Sequence, residues 1–208
     1  MPYPTTGSKT ELQAINQILS SVGQAPVTTL ERTNPDVAIS YDTLNEVSRV
    51  VQSEGWTFNR EYNYPFAPNE KGEIGYPPNV LQLDASTDPR YYSNDQYDTI
   101  RREGKLYDRR NHTFKFDKTI FCDVKWYFDW EDLPIPIQDY IVGRAATVVS
   151  SRLIGDPEQY QILAQAEGYL RSNAMEYETQ QGDYNFLQSP RMERNYIGYT
   201  PIKALQRY

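Results

Sequence analysis

Three sets of side chains in this chain have types and spacings that could do chemistry. The single histidine, His112, and the single cysteine, Cys122, lie close together in sequence, and a thiol nucleophile needs an imidazole within hydrogen-bond reach to take its proton. Yet Cys122 sits on the apolar side of an alternating run and His112 in a turn segment, so the thiol reads as buried and inert. Asp129, Glu131 and Asp132 cluster after that run. Two carboxyls flanking a glycosidic bond are what glycoside hydrolysis requires, one as acid and one as nucleophile or base. A solvated loop is the commoner origin of such a cluster, and the hydrolase stands as the alternative reading. The pairs Arg101-Arg102 and Arg109-Arg110 suit either DNA phosphates or an acidic protein neighbour. Without aromatics interleaved at stacking positions, the protein neighbour is preferred.

Other chemistry finds no support. There is no glycine-rich phosphate loop, HExxH, CxxC or calcium-loop spacing, so no metal or nucleotide cofactor is assigned. The formal charge is -7 with acids scattered along 208 residues, which opposes a DNA-binding protein, because phosphate neutralisation needs clustered Lys and Arg. One cysteine allows no internal disulfide and fits synthesis in a reducing bacterial cytosol. No apolar run reaches membrane-spanning length and MPYPTTGSK lacks a signal-peptide pattern, so neither membrane insertion nor export is expected. Tyrosine, at 18 residues, outnumbers Phe and Trp, and its amphipathic ring suits surfaces covered on assembly.

The elements that position these residues follow from periodicity. Ser8 and Glu11 have capping-box spacing before Leu12, Ile15, Leu19 and Val22, with Gly23 and Pro26 as stops. Asn34-Pro35 opens a second helix carrying Val37, Tyr41, Leu44, Val47 and Val51, closed by Gly55. Residues 62–98 read mostly as loop, with Val80, Leu81 and Leu83 as a strand. Short segments 99–101, 105–108 and 113–116 then read as a β-meander ending in the alternating strand Ile120, Cys122, Val124, Trp126, Phe128. After Leu133-Pro134, a third helix has the broad apolar stripe Ile137, Ile141, Val142, Ala145, Val148, Val149 and Leu153, and should be central. Asp156, Pro157 and Gln159 announce a fourth helix with Tyr160, Leu163, Ala166, Leu170, Ala174 and Tyr177.

The expected fold is α+β: a four-helix core, a β-rich meander insertion between helices 2 and 3, and an extended C-terminal arm. In residue numbers these are core helices at 1–60 and 134–187, the insertion at 61–133 and the arm at 188–208. Residues 189–208 carry four Lys or Arg against Glu193, a charge of +3 beside -10 for the remainder. A basic, aromatic arm of this kind suits docking on a neighbouring subunit; a disordered terminus is the alternative reading.

Together these residues resemble the tail tubular protein A family of short-tailed bacteriophages. The resemblance runs through Leu12-Gln13-Ala14-Ile15-Asn16, Ile18-Leu19, Val22-Gly23, Ala25-Pro26-Val27 and Leu30, then Gly55-Trp56-Thr57-Phe58-Asn59. It continues with Tyr140-Ile141-Val142, Ala145-Ala146, Gly155-Asp156-Pro157-Glu158, Met175-Glu176-Tyr177-Glu178, Gly182, Tyr184-Asn185 and Leu187. Gln24 departs from the pattern, as do residues 62–97 and the chain from Ser189. The resemblance implies a non-enzymatic virion tail adaptor made in the host cytoplasm: a twelve-subunit homo-oligomeric ring under the portal protein. It also implies a nozzle partner (tail tubular protein B), a tail fibre partner, and double-stranded DNA that passes without specific binding. No catalytic set comes with it. Subunit or portal contacts are assigned to Tyr184, Phe186, Arg191, Arg194, Tyr196, Tyr199, Arg207 and Tyr208.

Overall fold

A computed structural model describes residues 9–86 and 97–182. Helix α1 (Glu11–Ser21) is capped by Thr10: its Oγ1 accepts from the Gln13 N–H at 3.2 Å, while Gln13 Oε1 accepts from the Thr10 N–H at 3.1 Å. The box therefore forms two residues beyond the expected Ser8/Glu11 pair. Tertiary bonds explain the delay, because the Lys9 carbonyl accepts from Trp130 Nε1 and the Lys9 N–H donates to Gln138 Oε1. A backbone so engaged cannot also join the helix. Ala14, Ile15, Ile18 and Leu19 form the buried face. Gly23, at φ 75°, turns the chain out as the Gln24 N–H bonds back to Leu19.

Helix α2 (Pro35–Ser53) begins where Asn34 accepts from the Asp36 N–H. Helix α3 (Ile135–Leu153) is the central one: its buried Ile137, Tyr140, Ile141, Val142, Ala145 and Val149 pack among α1, α2 and α4. Helix α4 (Pro157–Gln181) comes close to α3 at Gly143, where a Cβ would run into Leu170. Asp156 caps α4 through the Glu158 N–H, but Gln159 does not complete the expected box. Its amide instead donates to the Ser21 carbonyl at the end of α1. Only Ala174 of α4 is fully buried, Leu163, Leu170 and Tyr177 are half-buried, and Tyr160 and Ala166 are exposed. A helix covered on one side needs only a narrow stripe.

Strands β1 (Arg60–Phe66), β2 (Val80–Ala85) and β5 (Ile120–Trp126) form an antiparallel sheet in the order β1-β5-β2. Strands β3 (Thr99–Arg102) and β4 (Lys105–Asp108) form a separate hairpin, turning at Glu103 and Gly104, both at positive φ. This corrects the expected meander. Residues 113–116 make only isolated bridges, Asp108 with Thr113 and Glu73 with Lys115, and β5 pairs with strands far away in sequence. It also corrects the loop reading of β1. Asn63 at φ 58°, the register shift between Glu61 and Tyr64, and Pro65 hide the alternation, and an edge strand tolerates all three.

Two apolar clusters result. One holds the helices with Trp56, Trp130 and Leu133; the other holds Phe66, Ile74, Val80, Leu106, Phe116, Ile120, Cys122 and Val124. The buried alternation of β5 stops at Val124; the chain leaves the strand after Trp126, and Phe128 packs on the helical cluster beside Phe58, ring centroids 6.2 Å apart.

Candidate functional site

The residues that bind the two clusters together are those of Gly55-Trp56-Thr57-Phe58-Asn59. Gly55 ends α2 at φ 81°, and a Cβ there would strike the Lys125 side chain and the Arg60 guanidinium, so glycine is required twice over. Trp56 is buried, donates from Nε1 to the Val51 carbonyl at 2.7 Å and meets Tyr140 edge-on with centroids 6.5 Å apart. Asn59 has no accessible surface, and three of its hydrogen-bonding positions are used. Its Oδ1 accepts from the Trp56 N–H at 2.8 Å; its Nδ2 donates to the Gln52 carbonyl at 2.9 Å and to the Trp126 carbonyl at 2.8 Å. One side chain thus joins the end of α2 to the end of β5.

Charge reinforces the joint. Lys125 Nζ donates to the Ser53 carbonyl and Arg60 Nη2 to that of Gly55, placing cations where the helix dipole is negative. Burial, followed by the neighbouring Arg60 charge, holds the Lys125 ammonium below the usual lysine range. Glu54 pairs with Arg171 at 3.4 Å and Arg144 at 3.9 Å, and both guanidiniums donate to the Tyr140 hydroxyl, at 2.8 and 2.9 Å. Glu178 of α4 accepts from the Thr57 N–H and hydroxyl. The N-terminal and C-terminal stretches of the family resemblance therefore meet at this joint.

Side-chain amides recur wherever backbone pairing fails. Asn16 accepts from the Val27 N–H at 2.7 Å and donates to the Val27 carbonyl at 2.9 Å. Gln52 does the same to Phe128, at 2.8 and 3.1 Å. Gln138, wholly buried, donates to the Trp130 carbonyl while accepting from Lys9. Gln52 and Gln138 escaped the reading of the sequence. Their signal is an amide on the buried face of a helix, which needs a partner there.

Cys122 has no accessible surface, and burial, with smaller effects from Asp123 and Asp84, pushes its thiol up to about 12; this is the inert thiol expected. His112 lies exposed in a turn at φ 53°. Asp129, Glu131 and Asp132 are exposed around a 3-10 turn, Trp130–Asp132, whose buried Trp130 pins Lys9. A shallow recess of about 430 Å³ lies elsewhere, lined in part by Gly72, Tyr97, Asp108, Asn111 and Asp117. Among the described residues, no group of three or more His, Cys, Asp or Glu is placed to hold a metal ion, and no helix is long and apolar enough to cross a membrane. Arg101 and Arg102 are exposed on the β3–β4 hairpin. The proposed contact residues Tyr184, Phe186, Arg191, Arg194, Tyr196, Tyr199, Arg207 and Tyr208 lie outside the described residues.

Comparison with known proteins now decides the family. The family model described as "Tail tubular protein" matches residues 12–184, spanning α1 through α4 and the whole joint. The chain belongs to the tail tubular protein family. It is 29% identical over 161 residues to tail tubular protein A of Klebsiella phage KP34, covering 76% of this chain and 82% of that protein. Membership in this family makes it a component of a phage tail, a structural role that accords with the arrangement found: side chains hydrogen-bonded across a joint, and a cysteine buried from solvent.

Proposed function

We propose that the chain is the tail adaptor of a short-tailed phage, assembling as a twelve-subunit ring between the portal and the tail nozzle. Its ring encloses the DNA exit channel and offers a side surface to fibre proteins. In this reading residues 1–60 and 134–187 form the rigid helical body, 61–133 an insertion that reaches neighbours, and 188–208 a basic arm carrying the subunit and portal contacts. The observation that carries it is the joint at 55–59: residues inside the stretch that matches the family go into fastening helices to sheet. That is what a load-transmitting ring subunit needs and a catalyst does not.

Charge supports the channel. A net charge of -7 opposes tight binding of phosphate, so DNA could leave without being gripped. The measurement that tests the proposal is the mass of the full chain alone and mixed with its portal. A discrete complex with about twelve copies per portal ring is expected. A chain that stays monomeric and ignores the portal would refute the adaptor reading. Removing residues 188–208 should abolish that complex if the arm makes the contacts.

A further inference from the structure

Among the described residues, the outer face of α4 carries large exposed apolar side chains. At 100° per residue, Glu158, Ile162, Tyr169 and Glu176 fall within about 40° of one another on a stripe about 27 Å long. Ile162 and Tyr169 are each 68% exposed. Two large apolar side chains between two acids, on a helix that carries four acids and one base, call for an occupant that is basic and partly apolar. Among the described residues, neither Glu158 nor Glu176 has a basic side chain within ion-pair range.

The same chain carries the complement. Residues 97–118 hold seven Lys or Arg and four Asp or Glu, a charge of +3 against -3 on α4. At the β3–β4 hairpin, the Arg102 guanidinium lies 4.0 Å over the Tyr107 ring and Arg101 lies 5.1 Å over Tyr76. Both arginines are exposed, and among the described residues neither has a carboxylate within ion-pair range. A guanidinium stacked on a ring keeps N–H groups able to meet an acid.

The geometry points to a head-to-tail contact in which the β3–β4 hairpin of one copy seats on the α4 stripe of the next. Two different patches of one chain meeting this way generate a ring when the rotation closes, and opposite charges set the partner and its orientation. This inference rests on the ring reading above and names the surfaces that build the ring.

Two charge-reversed chains test it, Glu158→Lys with Glu176→Lys, and Arg101→Glu with Arg102→Glu. All four positions are exposed, and circular dichroism with thermal melting checks that each chain folds. Mixed with the portal, each pair of changes is expected to raise the concentration needed for the about-twelve-copy complex by tenfold or more, and a chain carrying all four changes is expected to recover it. A complex indifferent to both reversals, or no recovery in the fourfold chain, would overturn the contact and leave the ring standing. Sensitivity to the α4 reversal alone would seat the portal or residues 188–208 on α4 and overturn the hairpin's part. A native chain that never forms the complex would instead remove the ring reading itself.

Discussion

Replacing Asn59 probes the joint at its most constrained point. Asn59→Ala removes three hydrogen bonds of 2.8–2.9 Å and takes from the Trp56 N–H and the Trp126 carbonyl their bond to Asn59, while the Gln52 carbonyl keeps the Gly55 N–H. At about 1 kcal/mol for each neutral bond, with part of the desolvation cost of stranded groups added, the loss is about 3–4 kcal/mol. For a urea slope of about 2 kcal/mol/M the midpoint then falls by about 1.5–2 M, which tryptophan fluorescence can follow. Asn59→Asp keeps the shape but aims an acceptor at two carbonyls. The new carboxyl is buried, so its charged form is disfavoured and its folded pKa rises above the unfolded value of about 3.9. The folded state then holds a proton that the unfolded state has released. Relative to Asn59→Ala, the Asp variant is therefore best off below about pH 4 and loses ground as pH rises through the raised value. A loss under about 1 kcal/mol for the Ala variant, or a gap between the two that ignores pH, would refute the account of the joint.

Two further expectations come from the sheet side of the molecule. Cys122, fully buried and with its thiol pushed up to about 12, should resist a thiol reagent in the native protein and react stoichiometrically in urea; rapid native labelling would contradict its placement. Asp108 resists burial through hydrogen bonds: burial alone would raise its carboxyl, but the Asp98 N–H, the Asn111 amide and the Arg110 N–H hold it below the ordinary aspartate range. Its stabilisation is thus present above about pH 4 and disappears as pH falls through the lowered folded value. Asp108→Ala should cost about 2 kcal/mol at pH 7 and loosen amide exchange at residues 98 and 110; unchanged exchange at both would disprove the network.

The helices were legible because each is announced locally. Asn34-Pro35 and Asp156-Pro157 fix two starts, and the period of Ile137, Ile141 and Ala145 marks the buried face of α3 without reference to anything distant. The first start was misjudged by two residues because what ended the competition was a bond from Trp130 to Lys9, across more than half the chain. The sheet was harder for the same reason. β5 was visible from its own alternation, but its partners β1 and β2 are chosen by long-range pairing, and β1 disguises itself with a bulge, a positive φ and a proline. The site was half legible: family likeness pointed at 55–59, while Gln52 and Gln138 acquire meaning only when the irregular backbone they serve is seen.

Those amides suggest why the joint is built from polar groups. An apolar contact between α2 and β5 would be non-directional and would tolerate sliding by a fraction of a residue. Gln52 holds both the N–H and the C=O of Phe128 and Asn59 holds the C=O of Trp126, and a slip of one position would leave buried donors and acceptors unpaired at about 1–3 kcal/mol apiece. Since that penalty rises at once in either direction, the angle between helix and sheet is fixed more sharply than packing alone could fix it. In the proposed ring, where each neighbour would repeat the subunit's geometry, a small error in that angle would accumulate from copy to copy. The buried amides restrict the error at its source.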